Sequence, residues 1–161
     1  MHLSSNTVQE IQKMLLERAQ ILKLQPQQLL GNADSTLQQR YPTATLTVYE
    51  PAPQLPFRDE QFDLILLRQA GLLLQPLEQS LAELKRVLKV QGILLLATWG
   101  IEMHTFGDAL LKAGFADPVT DIEYLEPDIT FAYAWRKPNS FYQAENGDVS
   151  IPISTLFKTK A

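Results

Sequence analysis

A chain of 161 residues fits one domain, and its 45% apolar content is enough for a buried core. The absence of cysteine excludes disulfides, thiolate nucleophiles and cysteine-ligated zinc together. A net charge of −4 with scattered basic residues argues against a nucleic-acid partner. No apolar run reaches the ~20 residues of a membrane helix, so no membrane association is expected. The opening MHLSSNTVQE has neither a basic start nor an apolar core, so no signal peptide and a cytoplasmic location are expected. His2 and His104 are too distant in sequence to form the paired spacing of a zinc helix, and no metal is expected.

The first predicted element is a helix. Thr7 followed three residues later by Glu10 suggests a capping box, and Val8, Ile11, Leu15, Ala19 and Leu22 recur at helical spacing. Pro26 is expected to stop it. Gln28 to Ala33 reads as a buried strand and turn, with Asp34 or Ser35 capping a short helix through Arg40. Thr45 to Tyr49 is β-branched and reads as a second strand, followed by Pro51, Pro53 and Pro56. Phe62 to Leu67 is apolar on both faces, as a covered parallel strand should be. Leu77 to Val90 carries an apolar stripe and is expected to close at Gly92. Ile93 to Thr98 is another doubly buried strand. Thr105 to Lys112 reads as a helix ended by Gly114. Asp117 to Glu123 and Ile129 to Trp135 complete the strands before a polar tail (139–161) with a short strand at Val149 to Ile153.

Strands alternating with helices mean an α/β domain with a mostly parallel sheet. Ligands in such sheets bind beyond the carboxyl ends of the strands, where strand order reverses. Those ends are Gly31 to Asp34, Glu50, Arg68 to Gly71, and Trp99 with Gly100. Tyr133 and Trp135 are expected in the core. No Ser/His/Asp set, phosphate loop or paired-carboxylate signature stands out, and no catalytic residue is assigned. His104 is expected to be structural or solvent-exposed.

Several stretches carry a family resemblance. Leu55-Pro56-Phe57, Phe62-Asp63-Leu64, Arg86-Val87-Leu88-Lys89 and Gly92 stand at the spacings found in the second half of class I S-adenosylmethionine (SAM) methyltransferases. Leu15 to Leu30, Met103 to Leu125 and Ile129 to Pro138 resemble the malonyl-acyl-carrier-protein O-methyltransferases of biotin synthesis. The likeness runs from near residue 15 to about residue 155. It implies a single Rossmann-like methyltransferase domain over 1–161, with a helix over 1–26, a mostly parallel sheet and an antiparallel last strand. It also implies SAM as cofactor, with Gly31, Asn32, Glu50, Arg68 and Gln69 as the positions facing it.

The departures are as informative. The family reads D-x-G-x-G-x-G after its first strand, and here Leu30 is followed by Gly31-Asn32-Ala33-Asp34-Ser35. The missing glycines let the backbone pass under the cofactor and leave helix N–H groups free to bind it. Asp34 offers a carboxylate that takes those groups as an N-cap and repels the carboxylate of SAM. Eleven residues separate Glu50 from Phe62. A crossover with its helix needs at least ~10–12 residues and another strand ~5, so both cannot fit, and the family's third strand and its helix are expected to be missing. Segments after Gly100 and near Leu125 to Asp128 are shortened too.

Two functions follow. The losses favour a degenerate methyltransferase-like protein with weak or absent SAM binding, a pseudoenzyme acting through association. It would form a homodimer, or a heterodimer with an intact methyltransferase, through a bared sheet face and the unpaired edge at Thr45 to Tyr49. The alternative is a minimal SAM-dependent O-methyltransferase acting on a small acid or an acyl-carrier-protein substrate. A third reading is a different small ligand in the cleft.

Overall fold

The two doubly apolar segments lie side by side at the centre of the sheet. In the computed structural model, which describes residues 3–136, 141–143 and 150–152, they form β3 (Phe62–Ala70) and β4 (Leu88–Trp99). These strands are parallel, in register from Leu64 opposite Ile93 to Ala70 opposite Trp99. On one side lie β1 (Gln28–Gly31) and then β2 (Thr45–Val48), both parallel to β3. On the other side β6 (Ile129–Trp135) runs antiparallel to β4, and β5 (Ala116–Glu123) pairs antiparallel with β6 at the far edge. The order is β2-β1-β3-β4-β6-β5. This is the expected Rossmann-like α/β sheet, parallel except for its last strand. A separate hairpin joins β7 (Phe141–Gln143) to β8 (Ser150–Pro152), and the rest of the tail lies outside the described residues.

Strand alternation sends one set of side chains to each face. Leu29, Leu64, Leu66, Leu95, Ala97 and Phe131 pack under α1 (Ser5–Ile21) and α2 (Ser35–Arg40). Leu30, Ile65, Leu67, Leu94, Leu96 and Ala132 pack under α3 (Leu77–Val87) and α4 (Met103–Lys112). Both cores are mainly aliphatic, with Phe62, Phe106 and Phe115 added on the α3–α4 face and Tyr41 and Phe131 on the α1–α2 face. Tyr133 and Trp135, expected in the core, are only half-buried and meet edge to face at 5.5 Å.

Several boundaries differ from the sequence expectation for local reasons. The cap of α1 is Ser4, whose hydroxyl accepts from the Thr7 N–H at 3.1 Å, and Thr7 lies inside the first turn. The helix ends at Ile21, where Lys23 turns left-handed at φ 57°, before Pro26 is reached. β3 runs on through Ala70, so Arg68 and Gln69 lie on the strand and not after it. α3 stops at Val87 because Leu88 is already extended and β4 begins there. Gln91, at φ 72°, makes the left-handed turn within β4. Gly92 is required for close approach, since a Cβ there would lie 2.7 Å from Leu88 Cδ1 and from the Lys89 carbonyl.

Residues 49–61 contain no helix and no strand, and among the described residues nothing pairs beyond β2 within the sheet. The expected bare sheet face, however, is covered by this segment. Leu55 is buried with Leu30, Tyr49 and Phe62, and the Phe57 ring stands edge-on to Phe62 at 5.2 Å. Arg86 of α3 fixes the crossing by donating to the carbonyls of Leu55 and Phe57, both at 2.9 Å. Among the described residues the edge itself stays open. Thr45 and Tyr49 donate inward to Gln27 and Gly31, so alternation turns the amides of Leu46 and Val48 outward.

Candidate functional site

The chain leaves β1 outward to β2 and then crosses to β3 on the other side, so the sheet's switch point lies between β1 and β3. Four of the five candidate positions meet there. Gly31 ends β1 and accepts from the Tyr49 N–H at 2.7 Å, which sets Glu50 beside it. Glu50 is exposed and has no side-chain partner among the described residues. Asn32 bridges from β1 to β3: its Oδ1 accepts from the Arg68 N–H at 2.7 Å and its Nδ2 donates to the Arg68 carbonyl at 3.2 Å. The fifth position, Gln69, turns to the other face by strand alternation and stands opposite Thr98, 6% exposed. Gln69 Nε2 and Thr98 Oγ1 both lack a partner among the described residues.

Asp34 does what its position before α2 suggested. Its Oδ1 accepts from the Thr36 N–H at 2.9 Å, and its Oδ2 lies 3.2 Å from Arg68 Nη1. The same Nη1 donates to Oε1 of Gln12 on α1, at 2.5 Å. Burial holds the Arg68 guanidinium below its ordinary value, and the neighbouring Asp34 offsets this only in part. Gln12, 3% exposed, was missed in the sequence, although its place on the apolar stripe between Val8 and Leu15 marks it as inward-facing. Gly31 also serves packing. A Cβ there would fall 2.6 Å from Leu37 Cδ1 and 3.0 Å from the Leu66 carbonyl, so glycine lets α2 close on the sheet.

Next to Arg68 opens a cavity of about 540 Å³, lined by Leu3, Val8, Ala70, Leu72, Leu73, Trp99 and Gly100 among others. His104 is exposed in the first turn of α4 and does not line it. Among the described residues no cluster of three or more His, Asp or Glu could hold a metal ion, and no helix is long and apolar enough to cross a membrane.

The family described as methyltransferase domain matches residues 9–96, more than half of the chain. The chain belongs to this family. Among curated relatives, the malonyl-[acyl-carrier protein] O-methyltransferase of Methylovorus sp. (strain MP688) is 27% identical over 176 residues, covering 73% of this chain and 60% of that protein. The enzyme of that name from Laribacter hongkongensis (strain HLHK9) is 32% identical over 130 residues, covering 63% and 44%. This methyltransferase domain therefore spans about 60% or less of the length of these relatives. Among solved structures, a putative methyltransferase from Bacillus halodurans superposes with a TM-score of 0.59 at 14% identity, over 76% of this chain and 98% of that one. A SAM-dependent methyltransferase from Thermotoga maritima gives 0.57 at 14%, over 76% and 87%. At such identities the superpositions establish the fold.

Membership makes SAM the cofactor to test against these residues. Glu50 suits a ligand rich in hydroxyls, being an exposed carboxylate with no side-chain partner among the described residues. The turn after β1 does not fit as it is arranged. Asp34 occupies an amide at the start of α2, and Asn32 ties the ends of β1 and β3 together. A group binding at the start of α2 would need Asp34 to release the Thr36 N–H.

Proposed function

We propose that this chain is a malonyl-acyl-carrier-protein O-methyltransferase-like protein, taking a carboxylate on a small acid or on an acyl carrier as methyl acceptor. The reading is supported by the family match over residues 9–96 and by relatives of that name at 27–32% identity. The observation that carries it within the molecule is the cavity of about 540 Å³ at the ends of β3 and β4, beside the crevice rimmed by Glu50. When bound, SAM supplies an electrophilic methyl group, and the protein's task is then mainly to position the acceptor. Glu50 would hold the ribose, and Arg68 would face the acceptor carboxylate. The test is transfer of labelled methyl from SAM to malonyl-acyl carrier protein, with Glu50→Ala as the control. Transfer abolished by the substitution supports the reading. No transfer to malonyl-carrier or free dicarboxylic acids, beside an active control enzyme, counts against it.

A second reading rests on one specific observation, the closed turn made by Asn32, Asp34 and Arg68. In it the scaffold is kept without SAM binding, and the chain acts as a homodimer or beside an intact methyltransferase through the open β2 edge. Titration with SAM and S-adenosylhomocysteine separates the two. Saturable micromolar binding supports the enzyme, and silence to millimolar ligand supports association.

A further inference from the structure

The cavity beside the cofactor turn has a chemistry of its own. Both side-chain contacts of Arg68 use Nη1, to Gln12 and to Asp34. Its Nε and Nη2 have no protein partner among the described residues, and together they form the edge of a guanidinium that grips a carboxylate with two parallel hydrogen bonds. Trp99 also lines the cavity, with its indole N–H closed off from solvent. Most of the remaining wall is apolar, formed by Leu3, Val8, Ala70, Leu72 and Leu73, and Gln69 is its one other polar side chain. Leu72 and Leu73 are 75% and 57% exposed, although both are large aliphatic side chains.

This combination narrows the ligand. A cation is repelled by Arg68. A sugar would leave the exposed Leu72 and Leu73 without an apolar partner. A phosphate is usually held by several basic groups, and Arg68 is the one basic side chain lining this cavity. A monocarboxylate with an apolar tail satisfies the free guanidinium edge and covers the leucines at once.

We propose that this cavity binds a carboxylate carried on an apolar chain, its oxygens on the Nε/Nη2 edge of Arg68 and its tail along Leu3, Val8, Leu72 and Leu73. The inference rests on the carboxylate-acceptor reading for its substrate class, but it requires no methyl donor, so the two fail separately.

The test is calorimetric titration of the full chain with octanoate and, as the uncharged probe of equal tail length, 1-octanol. Saturable octanoate binding at one per chain, at least about tenfold tighter than octanol, is expected. Arg68→Gln should bring the two probes level. Leu73→Asp, at an exposed position that should leave the thermal melt unchanged, should weaken octanoate at least about tenfold by placing a like charge on the tail wall. Equal binding of both probes overturns the proposal, as does no saturable binding or a preference for acid that survives Arg68→Gln. A dimer that buries Leu72 and Leu73 and leaves octanoate unbound overturns it too. Octanoate binding without methyl transfer leaves this proposal standing and removes the enzyme reading. Methyl transfer to malonyl-carrier without octanoate binding does the reverse.

Discussion

The side-chain amide of Asn32 takes both backbone polar groups of Arg68, the N–H at 2.7 Å and the carbonyl at 3.2 Å. It thereby continues the β1–β3 ladder one step beyond Gly31, using a side chain where a peptide would otherwise stand. In a sheet whose ligands bind where the strands part, this postpones the parting. The Asp34–Arg68 pair lies directly above it in the chain's path to α2. The same few atoms therefore decide whether the crevice is open.

Asp34→Gly should open it. The substitution frees the Thr36 amide and lifts the carboxylate from the path of an anionic ligand. Stability should fall by about 1 kcal/mol, from the lost cap and the unpaired guanidinium. Affinity for S-adenosylhomocysteine should rise by about tenfold, which is roughly 1.4 kcal/mol. Calorimetry with a parallel urea melt measures both, and an unchanged affinity would remove the closed turn as the barrier.

Gly31→Ala tests the packing role of that glycine. The added methyl meets Leu37 Cδ1 and the Leu66 carbonyl, and the carbonyl belongs to a central strand that cannot yield. A loss of about 1–3 kcal/mol in denaturant unfolding is expected. A neutral result would show that α2 is free to lift from the sheet.

Glu83 and Arg86 give a pH dependence. Glu83 Oε2 lies 2.9 Å from Arg86 Nε, and its Oε1 accepts from the Leu55 N–H at 2.8 Å. The Arg86 hydrogen bond, the largest cause, and the Leu55 N–H hold the Glu83 carboxyl below its ordinary value. A depressed folded value means stability that is fully present above the unfolded value of about 4.3 and is lost as pH falls through the folded one. Glu83→Gln should cost about 1–2 kcal/mol at pH 7 and flatten the stability profile below about pH 4. A mutant profile parallel to the wild type down to pH 2 would refute this.

The β2 edge predicts an oligomer. Four uncharged residues, Thr45 to Val48, present outward amides at Leu46 and Val48 without lysine or proline to guard them. Antiparallel pairing of two copies about a two-fold axis would satisfy both strands alike. Sedimentation should show a dimer for the wild type and a monomer for Val48→Lys. A wild type that stays monomeric at high concentration removes the edge as an interface.

Much of the fold was legible because its signals are local. The doubly apolar runs at Phe62 and Ile93 could only be covered central strands, and the eleven residues after Glu50 left no room for another strand. The cap at Asp34 was legible from its place before a short helix. What the sequence hid depends on distant partners. Gln12 and Arg68 are 56 positions apart, and only the docking of α1 on β3 joins them. The covering of the sheet face by Leu55 was hidden likewise, because the cover is an irregular segment held by Arg86 on another element. Gln69 was expected to follow a strand ending at Leu67; the extension of that strand to Ala70 sets its side chain by alternation on the face opposite that of Arg68, while both residues border the same cavity.

The family signature also acquires a physical meaning. Asp63 accepts from the N–H groups of Gln27 and Gln28 at 3.0–3.3 Å, fastening the start of β1 to β3. Arg86 clamps the Leu55-Pro56-Phe57 crossing. The residues by which the chain resembles its relatives are those that tie strands together, and the positions at which it departs are those around the crevice.

The adjacency of β3 and β4 bears on how the chain assembles. Only α3 and a short turn separate them in sequence, yet they form the longest ladder in the sheet and both cores hang from it. The entropy of closing so short a connection is modest. This β–α–β unit can therefore collapse early, while β1, which pairs with β3 only across the whole of Asn32 to Gln61, is added late together with β2. Substitutions within it should slow refolding, whereas those in β2 should chiefly hasten unfolding.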